Sequence, residues 1–510
     1  MSAMTDILYG TLAALPAVFM PENLLYCLFG LVFGILWGAL PALSSTMAMA
    51  LMIGFTAAMP TPGAIIFLLG VYSGSVFGGS ISAVCINIPG TPAAVCTAIE
   101  GYPLFLRGEG GQAIGTAIMT STIGNLFGTV ALIVCTPIIL ILALQIGSWE
   151  ICLLGLWGVL LSGSISDAPA LKGWLSGLIG LALSLIGIDT VSGEERFTFG
   201  IKALVGGLSF VAVLIGVFGF AEIARGLLFE RDAESPPVNR VSILWHQIRR
   251  HFKTLISGSS IGTFIGAVPA AGADIAAFIA YSFSRRLATP RERREYGKGS
   301  YRGIIAAESA NNASVGGSLI PLLVLAIPGS TVAAAFMGAL NLQGIAMGPM
   351  IRMSHPGMME FIFASLLVTS VLLGVMGYLI AKPSVALLSI PRGVLLPSIM
   401  PVCVLGAFAA QNNISDIYIM LISGIGGIAL VLGGFPPAPL VMGMILGPLV
   451  DQNFRRALII FKDQSLMDVL LRPVGLLMLV VIVVTIVGAL YSGRPTAQIV
   501  EERHPRDGEK

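Results

Sequence analysis

From Asn23 to Ile99 the chain runs for 77 residues without one Asp, Glu, Lys, Arg or His. Such a stretch cannot lie at a water-facing surface. It must be dissolved in lipid or enclosed by protein that is. The rest of the 510 residues follows suit: 11% are charged, where a soluble domain carries about 25%, and 56% are hydrophobic. Mean hydropathy is +0.92. These values exclude a cytosolic enzyme, a secreted domain, a disordered chain and a nucleic-acid binder. A net charge of +2 asks for no acidic partner. A membrane β-barrel would show short alternating strands instead. The expectation is an all-α polytopic membrane protein with roughly 10–13 spanning or half-spanning elements.

Glycine is abundant, at 62 residues, as suits close-packed and interrupted transmembrane helices. Cys27, Cys85, Cys96, Cys135, Cys152 and Cys403 lie in apolar stretches without metal-ligand spacing and read as packing residues. The N-terminus lacks a basic region and does not read as a cleavable secretory signal.

Basic residues concentrate late. Residues 225–302 hold 13 of the 28 Lys and Arg, and residues 1–106 hold none. The positive-inside rule then puts the N-terminus outside and the basic loops in the cytoplasm. The division expected is a first transmembrane repeat at 1–228, a cytoplasmic linker at 229–253 and a second repeat at 254–468. A final transmembrane helix at 469–491 and a polar tail at 492–510 follow. Residues 254–284 lie between two basic loops, so they should enter and leave on one side, as a re-entrant hairpin.

Two motifs recur in order. GLVFGILWGALPAL (30–43) resembles GSSIGTFIGAVPAA (258–271), and FGGSISAVCINIPGTPAA (77–94) resembles VGGSLIPLLVLAIPGSTVAA (315–334). One Gly-x-x-x-Gly is a common packing pattern; two motifs in the same order indicate an internal repeat. Pro followed by Gly must break a helix, and unwound backbone at membrane depth persists only against protein or a water-filled cavity. Paired breaks point to a transporter's binding site near the midplane. The bland reading is a set of proline kinks at packed crossings.

The breaks offer specific chemistry. After Pro89 and Pro328 the chain reads Gly90-Thr91 and Gly329-Ser330-Thr331, which are helix starts with Thr91 and Ser330 as candidate caps. A half-helix N-terminus can hold a carboxylate without a basic side chain. The hairpin tips add Pro41, Ser44, Ser45 and Thr46 in one half, and Pro269 and Gly272 in the other. For a coupling cation, Asn87, Asp274, Glu308, Asn311 and Asn312 supply oxygen at or near the breaks; an ionisable group inside a membrane is a functional candidate by default. For the asparagines the bland reading is interhelical hydrogen bonding. Asp189, Glu195 and Arg196 read as a structured loop, Glu150 and Glu222 as interfacial residues. No nucleotide-binding or catalytic signature occurs, so no enzyme activity is expected. No cofactor is expected beyond transported Na⁺ or H⁺.

These motifs, with EGYPLFLRGEGGQAIG (100–115), GIDTVSGEERFTFG (187–200), ESANNASVGGSLIPLLVLAIPGST (308–331) and GGFPPAPLVMGMILGPLVDQNFRRAL (433–458), resemble the large transmembrane subunit of tripartite tricarboxylate transporters, the TctA family, over nearly the whole length. The resemblance implies carboxylate import by Na⁺ or H⁺ symport. It implies two partners, a small four-helix membrane subunit and a periplasmic solute-binding protein, and a place in the bacterial inner membrane. The family usually carries Pro-Gly at both tips; here the tips read Pro41-Ala42 and Pro269-Ala270. The alternative from another class is an ion channel with re-entrant pore loops.

Overall fold

The computed structural model describes residues 2–41, 43–143, 146–166, 168–189, 192–220, 222–223, 240–462 and 469–492. Ala42, residues 229–239 of the linker expected at 229–253, and the tail beyond residue 492 lie outside these. Among the described residues the protein is helical apart from one two-residue antiparallel pairing, Gly187–Ile188 with Glu195–Arg196. Among the described residues eight helices are long and apolar enough to cross a membrane, and the chain is a multi-pass membrane protein.

Each half follows one order. After the leading helix Ser2–Val18 of the first half, each half has a hairpin, with arms Pro21–Ala39 and Ser45–Thr56 in the first and Phe252–Gly266 and Gly272–Arg286 in the second. A broken helix follows. The first is Thr61–Ile86 continued by Val95–Leu106; the second is Tyr301–Leu325 continued by Thr331–Leu342. A long flanking helix closes each set, Gly110–Ala143 or Met358–Leu387. The re-entrant segment expected at 254–284 is thus a helical hairpin with its turn at 267–271.

Glycine rows set the packing. A Cβ on Gly30, Gly34 or Gly38 would run into the carbonyls of Phe67, Val71 or Ser75 of the first broken helix. In the second half Gly262 and Gly266 press in the same way on the carbonyls of Ala310 and Ser314. Both long segments are therefore enclosed: every residue in the apolar window of Thr61–Ile86 is buried. The outermost helix, Pro473–Ser492, has only 11% of its window covered, which leaves its Leu and Val side chains for lipid.

The breaks are built alike. Asn87 ends the first long segment with φ 56° and Ala326 ends the second with φ 56°. The two differ by 239 positions, the spacing that also relates Gly90 to Gly329. Asn tolerates this left-handed conformation; Ala adopts it at a cost. At the second tip Ala270 also has a positive φ, 62°. Alanine at this position therefore adds strain to the tip and leaves the left-handed turn in place.

Polar ties join the halves. The Glu100 carboxylate is fully buried and accepts from the Tyr281 hydroxyl (2.6 Å) and the backbone N–H groups of Gly297 (2.8 Å), Gly299 (3.1 Å) and Ser300 (2.8 Å). This fixes the basic loop before the second broken helix. The loop at 187–200 is structured as expected: Asp189, 1% exposed, pairs with Arg455 (2.6 Å) and Arg196 (3.4 Å), and both arginines also pair with Asp451. Replacing Ala270 with Gly should relieve about 1 kcal/mol of left-handed strain. A higher thermal midpoint for detergent-purified Ala270→Gly than for the wild type is the expected outcome.

Candidate functional site

The hairpins and broken helices cross over. The second arm of the first hairpin packs on Thr331–Leu342 of the other half, and the second arm of the second hairpin packs on the turn Pro92–Ala94 after the first break. Both tips and both breaks thus meet at one junction.

On one side of it two helix N-termini face each other. Thr46, in the first turn of Ser45–Thr56, contacts Thr331, the first residue of Thr331–Leu342, hydroxyl to hydroxyl at 2.8 Å. Ser44 caps the first of these helices, accepting from Met47 N–H (3.2 Å), and Ser330 caps the second, accepting from Ala333 N–H (3.1 Å). Ser330 also meets the Tyr72 hydroxyl at 2.8 Å. The remaining first-turn N–H groups have no intrahelical acceptor, so two positive dipole ends and a group of hydroxyls converge here. The Ser45 hydroxyl is buried without a hydrogen bond.

The break glycines serve the backbone. Gly90 N–H donates to Gly79 O and Gly329 N–H to Ser318 O, both at 3.3 Å, and Gly272 N–H donates to Gly329 O at 3.1 Å. A Cβ on Gly90 would strike Gly38 O, and one on Gly329 would strike Gly266 O. Their role is close approach, and the free N–H groups lie one turn further on. Thr91 differs from expectation. It stands at the N-cap position, yet its hydroxyl does not cap the helix and is buried without a partner. Pro92 opens that helix as a short 3₁₀ turn. Pro41 and Pro269 are buried beside the tips.

The cation candidates separate into groups. Glu308, Asn311 and Asn312 are fully buried on the second broken helix. Asp274 is exposed in the first turn of Gly272–Arg286, near enough to act electrostatically on Tyr72. Asn87 is exposed, and its left-handed backbone matches that of Ala326, which has no side-chain oxygen.

Several residues at the junction escape a reading of the sequence. Glu222 was expected at an interface; its carboxylate instead accepts from Ser44 N–H at 3.0 Å, at the first tip. Tyr72, Thr97, Ser121 and Asn125 are not among the candidates read from the sequence, and their partners lie far along the chain. A cavity of about 260 Å³ lies at the far end of Thr331–Leu342, among Phe210, Gly338, Asn341, Gln411 and Met444. It holds no charged side chain and is separate from the convergent helix ends, which are the better anion site.

Gly329→Leu and Gly90→Leu should reach the membrane in normal amount and lose transport, because the side chain would wedge break from hairpin. Thr331→Val, which removes one hydroxyl and keeps the shape, should weaken substrate affinity several-fold. Membrane-fraction immunoblots beside initial-rate uptake check both.

The family model described as "Tripartite tricarboxylate transporter TctA family" matches residues 24–442. An uncharacterized 52.8 kDa protein of the TAR-I ttuC' 3' region of Agrobacterium vitis is 35% identical over 469 residues, covering 91% of this chain and 93% of the relative. An uncharacterized protein of the TAR-II ttuC' 3' region of the same organism is 37% identical over 204 residues, 40% of this chain and 84% of that protein. No solved structure matches the chain.

Proposed function

Since the chain belongs to the tripartite tricarboxylate transporter TctA family, and so to the large membrane subunits of such systems, we propose that it imports a di- or tricarboxylate by symport with Na⁺ or H⁺. The observation that carries this reading is the facing pair of helix N-termini joined by Thr46 and Thr331, in segments where residues 23–99 and 309–351 contain no basic side chain. An anion there is held by dipoles and hydroxyls. Such contacts bind weakly enough for the substrate to be released. The substrate-binding hydroxyls are those of Ser44, Ser45, Thr46, Ser330 and Thr331, with Tyr72 added, while Pro41, Pro89, Gly90, Thr91, Pro269, Gly272, Pro328 and Gly329 build the tips and breaks that present them.

The two halves would be inverted repeats. Alternating access would carry the hairpins and breaks against the outer helices. A periplasmic binding protein would deliver substrate to the outer face, and a small four-helix subunit would complete the membrane part, in the bacterial inner membrane. Reconstituting the chain with both partners and offering a panel of carboxylates under imposed Na⁺ or pH gradients tests this. The expected result is saturable uptake that stops when the gradient is dissipated. Uptake that stays linear with concentration and ignores the gradient would instead fit the channel reading.

A further inference from the structure

The flanking helix Gly110–Ala143 lies against the second broken helix so closely that a Cβ on Gly124 would overlap Ser309 O and one on Gly128 would overlap Ala313 O. The side chains in this seam are polar. Glu308 is fully buried and accepts from the hydroxyls of Thr97 and Ser121, the latter at 2.9 Å. One turn along the same two helices, on the same faces, stand Asn125 and Asn312, with Asn311 beside the latter. Asn125 donates its amide to the Ser73 hydroxyl (3.1 Å) and Asn311 to Val76 O (3.2 Å), which ties both to the first broken helix. Asn311 stands one turn from Glu308 on the same helix face.

All three asparagines are 0% exposed. Yet Oδ1 of Asn125, Oδ1 of Asn311 and both amide atoms of Asn312 make no hydrogen bond. Buried amide oxygens are nearly always satisfied, and several orphans in one seam call for a ligand. The stretches that supply the seam, 23–99, 108–171 and 303–351, contain no Lys, Arg or His to neutralise Glu308. A buried carboxylate without a counter-charge is costly. A proton on Glu308 would remove its charge and leave the amide oxygens unmet. A divalent ion would leave excess positive charge in a seam with one carboxylate.

We propose that Glu308, Asn125, Asn311 and Asn312, with the hydroxyls of Ser121 and Thr97, form a site for one dehydrated alkali cation of the size of Na⁺. Hard neutral oxygens plus one carboxylate suit such an ion. The site rests on the symport reading and names its coupling ion. Position 312 less 239 is 73, so Asn312 and Ser73 occupy corresponding places on the two broken helices. A cation there bridges the two halves beside the break junction, which couples its occupancy to the substrate site.

The test uses the purified full chain in detergent, with radiolabelled Na⁺ binding and thermal melts in NaCl against equimolar choline chloride. Expected are saturable binding of one Na⁺ per chain and a higher midpoint in NaCl. Glu308→Gln keeps an acceptor for Thr97 and Ser121, so it should fold and lose both effects. Asn312→Ala should melt like the wild type in choline and also lose the Na⁺ response. Absence of saturable binding in the wild type, or undiminished binding in either variant, overturns the site. The assay needs no transport: Na⁺ binding without carboxylate uptake would refute the symport reading and leave the site. Carboxylate uptake by a chain that binds no Na⁺ would do the reverse.

Discussion

Backbone-to-backbone contact between each hairpin and its broken helix underlies everything else. Lipid offers no partner for a free N–H or C=O, so an interrupted helix survives only inside protein. The glycine rows at 30, 34, 38 and at 262, 266 provide that enclosure by letting helices touch where any Cβ would collide. Once the long segments are enclosed, the unwound turns at 87–91 and 326–330 can be held by a few bonds, such as Gly90 to Gly79 and Gly329 to Ser318. Leucine at any of these glycines would force the backbones apart, and the breaks would lose their cover.

The crossing of the halves turns this packing into a site. Each hairpin's second arm rests on the short helix of the opposite half. No half alone can assemble the facing N-termini, because Ser45–Thr56 and Thr331–Leu342 come from different halves. The same holds for the Glu308 seam, where Thr97 and Ser121 come from the first half and the carboxylate from the second. A ligand in either place therefore bears on how the halves fit together, which is the kind of differential contact that coupled transport requires.

Much of this was legible in the sequence because it depends on residues with exceptional backbones. Gly and Pro announce close approach and helix rupture wherever they stand, so the hairpins, the breaks and their repeat could be read from residue order. The side-chain partners could not. Glu222 reaches Ser44 across 178 positions, and Ser121 reaches Glu308 across 187; no local pattern encodes such a pairing. Thr91 misled because a helix-start sequence does not reveal that Pro92 will open the helix as a 3₁₀ turn, leaving the hydroxyl without the cap geometry.

The frame repeats and the chemistry does not. Asn87 and Ala326 share a backbone conformation, yet only one has a side-chain oxygen. At the tips the spacing of 228 that relates Gly30 to Gly258 pairs Thr46 with Asp274, and the spacing of 239 pairs Thr331 with Pro92. The hydroxyl contact on one side of the junction thus corresponds to an acid opposite a proline on the other. Divergence at these corresponding positions leaves paired hydroxyls over the helix N-termini on one side and a carboxylate on the other, while the glycine packing that both sides depend on stays the same.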